Sequence, residues 1–96
     1  MSQNLDFDKY PVSFANDERG QFWHQLSKRE KDVTALTCLR YTNSQIAGRL
    51  GISIETVKTY VTRVLHKSGF KSKADLRVFF ADWDFSEWER REDPFR

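Results

Sequence analysis

The stretch TNSQIAGRLGISIETVKTYVTRVLHKSG, Thr42 to Gly69, decides the fold. Thr42-Asn43-Ser44-Gln45 has the form of a capping box, in which a hydroxyl and a side chain three residues on satisfy orphan amides at a helix start. Ile46, Ala47 and Leu50 follow at helical spacing, and Gly51 stands where a left-handed residue ends a helix. Ser53 then caps a longer helix, expected from about Ile54 to His66, with Gly69 as its stop.

Working outward, Ser27-Lys28-Arg29-Glu30 is another capping box, opening a helix through Val33, Leu36 and Leu39. Ser72-Lys73-Ala74-Asp75 opens a fourth, expected to run through Leu76, Phe79, Phe80 and Trp83. Strand signals are almost absent, so the expected fold is all-α, with four helices and short connections. A short helix, a Gly-containing turn and a longer helix make the central pair a helix-turn-helix. Residues 1–24 read as an N-terminal arm whose Phe7, Tyr10 and Phe14 can pin it to the body. Residues 25–83 form the helical domain, and residues 84–96 a short aromatic, acidic extension in which Ser86-Glu87-Trp88-Glu89 caps a further turn.

Ninety-six residues make one domain, small enough for oligomerisation to be expected. No apolar run approaches the length of a membrane-spanning helix, and no signal peptide opens the chain. A single cysteine, Cys38, excludes an internal disulfide and fits a reducing, cytoplasmic setting. The net charge of +2 conceals a segregation. Residues 27–73 hold ten Lys and Arg against three acids, while the flanks 1–26 and 74–96 carry −2 and −3. A basic centre between acidic ends points to a polyanionic partner.

On the third helix, Val57, Tyr60, Val61, Val64 and Leu65 share one side and must be buried. Left outside are Glu55, Lys58, Thr59, Thr62, Arg63 and His66. After Glu55 no acid appears until Asp75, while Lys58, Arg63, His66, Lys67, Lys71 and Lys73 intervene. A surface of cations and small hydroxyls suits the major groove of DNA, where Lys bonds guanine acceptors and Thr meets base edges or the thymine methyl.

Together, LSKREKDV, TNSQIAGRLGIS and ETVKTYVTRVLHKSG resemble the LuxR/GerE-type helix-turn-helix domain of bacterial transcription regulators, over about Gln25 to Trp83. The resemblance implies a four-helix domain whose third helix enters the major groove of double-stranded DNA, and whose fourth commonly pairs two copies on an inverted repeat. By position it implies base contacts from Lys58, Thr59 and Thr62, and backbone contacts from Ser53, Thr56, Arg63, Lys67 and Lys73. Three positions depart from the family pattern. Arg40 replaces a Gly between the first two helices, which demands either a different connection or an unusual backbone angle. Gln45 replaces a Glu, and Tyr60 a His. The roughly 26 residues before the first helix leave no room for a receiver or ligand-binding domain; with an initiating Met and a distinctive tail, they suggest a stand-alone regulator.

Phe79, Phe80, Trp83 and Trp88 admit two readings: a core packed against Phe14, Phe22 and Trp23, or a homodimer or partner surface. A third idea has the acidic tail shielding the basic helix. His24 and His66 have no spaced acid or cysteine partner, and Cys38 reads as a structural thiol, so no catalysis, metal or cofactor is expected. The alternative functions are a protein-binding adaptor, or a sigma-region-4-like module, docking a regulatory protein or RNA polymerase through the aromatic tail.

Overall fold

Side-chain caps set the helix boundaries in the computed structural model, which describes residues 18–90. Among these residues lie α1 (18–24), α2 (Lys28–Cys38), α3 (Asn43–Leu50), α4 (Ile54–Ser68), α5 (Lys73–Phe79) and α6 (Ser86–Arg90), with no strand. The all-α expectation holds, with α2 to α5 as the four expected helices and two short helices flanking them. Phe7, Tyr10 and Phe14 fall outside the described residues.

Two capping boxes close as the spacing predicts. Ser27 N donates to Glu30 Oε1 at 2.8 Å while Glu30 N donates to Ser27 Oγ at 3.1 Å. Thr42 and Gln45 repeat this at 2.9 and 3.1 Å, so Gln serves as well as Glu. The third box opens by one residue. Asp75 N donates to Ser72 Oγ, but the Asp75 carboxylate accepts from Lys71 N at 3.2 Å instead of from Ser72. An Asp side chain is one methylene shorter than Glu.

The connection between α2 and α3 keeps its tight geometry by placing Arg40 at φ 74°. Arg40 N donates to Thr37 O at 2.9 Å and Tyr41 N to Leu36 O at 3.0 Å, the paired closure that normally recruits glycine. Gly51 ends α3 in the same way at φ 69°, with Ile52 N donating to Ala47 O at 3.1 Å.

Helix α5 stops at Phe79, short of the expected Trp83. Asp82, at φ 69°, turns the chain back. That reversal returns Phe85 and Trp88 to the body, and Asp84 Oδ1 accepts from Ser86 N at 2.9 Å, so Ser86 is the first residue of α6 and not its cap. Helix α4 runs two residues past the expected His66, to Ser68, before Gly69 at φ 79° ends it.

Two buried clusters flank α2. One is aliphatic, with Val33, Leu36, Ile46, Ala47, Val57 and Val61 holding α2, α3 and α4 together. The other is largely aromatic, with Leu26, Ala35, Val64, Leu76, Phe80 and Phe85 enclosed by Phe22, Trp23, Phe79 and Trp83. Trp88 packs against both. Its indole N–H donates to Asp32 Oδ1 at 2.9 Å and its carbonyl accepts from Arg49 Nη2 at 3.0 Å, tying α6 to α2 and α3.

Candidate nucleic-acid interface

The orientation of α4 follows from its apolar spacing. Val57, Val61 and Val64 are buried, and Tyr60 and Leu65 are half-buried. The opposite side presents Glu55, Lys58, Thr59, Thr62, Arg63 and His66, all exposed. The helix therefore stands as a ridge anchored by valines, with its outer surface exposed among the described residues.

Along that ridge the side chains are differently engaged. Lys58 Nζ lies 3.5 Å from Glu55 Oε2, with both side chains largely exposed. Such a solvated pair contributes little and opens readily. The Thr59 hydroxyl donates back to Glu55 O at 3.1 Å, leaving its lone pairs outward. Ser53 Oγ accepts from Thr56 N at 3.0 Å and sits 2.9 Å from Thr56 Oγ1, so two hydroxyls cluster at the helix start. The Arg63 guanidinium lies 5.5 Å from the Tyr60 ring centroid.

Lys67 and Lys73 are tied into the fold. Lys67 Nζ is 2.8 Å from Oε1 of the buried Glu30, bridging α4 to the cap of α2. Burial pushes the Glu30 carboxyl up, but the Lys67 ammonium and the Ser27 groups outweigh it, and the result lies below the ordinary 4.5. Lys73 Nζ donates to Asn43 Oδ1 at 2.6 Å, joining α5 to the start of α3. Desolvation and the nearby Arg77 charge lower its pKa. Neither attachment has a sequence signal, since the partners are 37 and 30 residues apart.

The aromatic residues find partners within the protomer. Phe80 is 2% exposed. Phe79 meets Phe22, Phe70 and Phe80 at ring-centroid distances of 6.0, 5.1 and 4.9 Å. Trp83 lies 6.2 Å from Trp23 and 5.5 Å beneath the Arg19 guanidinium. Trp88 meets Trp23 at 5.6 Å. These contacts match the core reading with Phe22 and Trp23. Outward on α5 lie Ala74, Asp75 and Val78, of which Val78 is a large apolar side chain 76% exposed.

Cys38 is a poor candidate for thiolate chemistry. Burial pushes its thiol up to about 12 despite the opposing charge of Arg77. Among the described residues, no helix is long and apolar enough to cross a membrane.

Comparison with known proteins agrees with this geometry. The family described as bacterial regulatory proteins, luxR family, matches residues 24–80. The chain is also similar to the oxygen regulatory protein NreC of Staphylococcus aureus strains JH9, JH1 and USA300, with 41% identity over 51 residues. That match covers 53% of this chain and 24% of each relative, so the chain matches about a quarter of their length. No solved structure matches it.

Proposed function

Because the chain belongs to the luxR family of bacterial regulatory proteins, we propose that it binds specific double-stranded DNA sequences through α4 and thereby regulates transcription. The observation that carries this reading is the exposure of Lys58, Thr59 and Thr62 on a helix whose opposite side is buried. In the groove, Lys58 leaves Glu55 for guanine acceptors, while Thr59 and Thr62 meet base edges or thymine methyls.

Phosphates on either side are met by Ser53, Thr56 and Arg63. Lys67 and Lys73 extend the track at its ends, each keeping two N–H donors beyond the one its protein partner takes. Two copies pair through α5 on an inverted repeat, in the cytoplasm at the nucleoid. The adaptor and sigma-like alternatives draw less support, because Phe80 is buried and Phe79, Trp83 and Trp88 are half-buried against the protomer's own core.

The test is duplex selection followed by binding of Lys58→Ala to the selected and to random sequences. The substitution should cost about 1–3 kcal/mol on the selected site and relax preference at one base position per half-site. Equal losses on both duplexes would refute base reading by Lys58. With three or four phosphate contacts per protomer, the log–log salt slope of the dimer should be roughly −5 to −7.

A further inference from the structure

Resting on that reading of α4, we propose that Tyr60 is a positioning residue, which fixes the Arg63 guanidinium for contact with a DNA phosphate at the rim of the groove-facing ridge. Three observations converge. Tyr60 is half-buried against the aliphatic cluster, so its ring is held from below. Arg63, one turn on, is exposed and lies 5.5 Å from the ring centroid. Among the described residues, Arg63 makes no hydrogen bond or ion pair, whereas Lys58, Lys67 and Lys73 each reach a protein oxygen.

A guanidinium packed against a ring and making no hydrogen bond to the protein keeps its five in-plane N–H donors available. That is the arrangement required for a two-pronged bond to phosphate oxygens. An arginine already held against a ring also loses less rotamer freedom on binding than a free one.

A phosphate contact acts on any sequence, so a random-sequence duplex is a sufficient probe for the full chain. Arg63→Ala should weaken binding and flatten the salt slope by about 0.9 per protomer. Tyr60→Leu should weaken it about three- to fivefold, and Tyr60→Phe less than about twofold, since the ring face remains. In an Arg63→Ala background, Tyr60→Leu should cost nothing further.

An equal Tyr60→Leu penalty with and without Arg63 would show that the ring acts only through helix packing, and would overturn the proposal. So would unchanged binding by Tyr60→Leu. The contact is also readable without any variant, as an upfield ring-current shift of the Arg63 Hδ protons; absence of that shift would overturn it equally. If the unsubstituted chain fails to bind duplex at all, the reading of α4 falls too. A failed double-mutant cycle in a chain that does bind sinks only the role of Tyr60.

Discussion

The two buried clusters are built differently. The aliphatic one draws its buried residues from Val33 to Val61, a nearly continuous stretch. The aromatic one joins Leu26, just after α1, to Phe80 and Phe85 near the end of the described residues. The luxR family match stops at residue 80, so Trp83, Phe85 and Trp88 lie beyond it. The presentation of α4 thus rests on a local framework shared with the family. Its attachment to the rest depends on a second cluster closed by this chain's own end. A small domain buries a modest fraction of its surface, and rings of this size add apolar area that short helices alone do not provide.

The largest expected effect separates the two clusters. Phe80→Ala should cost about 4 kcal/mol in denaturant unfolding, as expected for a fully buried ring. A loss below about 1 kcal/mol would mean that the aromatic cluster is only a surface covering.

The intermediate test falls on the tie between α2 and α4. Lys67→Ala leaves Glu30 buried without its ammonium and should cost about 2 kcal/mol. Because the Glu30 pKa is lowered on folding, its contribution is present above the unfolded value and lost as pH falls through the folded one. Between about pH 5 and 3, the unsubstituted chain should therefore lose stability more steeply than Glu30→Gln, as thermal melts at stepped pH would show. Matching profiles would remove Glu30 from the account.

The smallest effect tests the turn between α2 and α3. Arg40→Gly relieves a left-handed non-glycine residue and should stabilise by about 1 kcal/mol. A destabilisation would mean that the Arg40 side chain contributes more than its backbone angle costs.

The helix-turn-helix was legible because its signals are local. Capping residues three apart and valines at helical spacing define α3 and α4 without knowledge of the rest. The outward set from Lys58 to His66 follows from that same spacing. Arg40 was legible as a conflict, and the structure resolves it by keeping the turn and bending the residue.

Beyond the reach of pattern were contacts between distant segments. Nothing near Lys67 marks Glu30 as its partner, and nothing near Trp88 marks Asp32. The end of α5 was misplaced because Phe79, Phe80 and Trp83 keep a helical period across a left-handed Asp82. Periodicity alone cannot register that turn.

All three tryptophans of the chain, Trp23, Trp83 and Trp88, belong to the aromatic cluster, and α4 carries no indole, only the Tyr60 phenol and the His66 imidazole. With Trp23 6.2 Å from Trp83 and 5.6 Å from Trp88, their excited states are close enough to couple. Near-ultraviolet ellipticity and indole emission thus form a built-in gauge of whether α1 is clasped to the segment from Trp83 to Trp88. Such optical signals originate away from the ridge itself, so they follow the assembly of the scaffold separately from what the ridge touches.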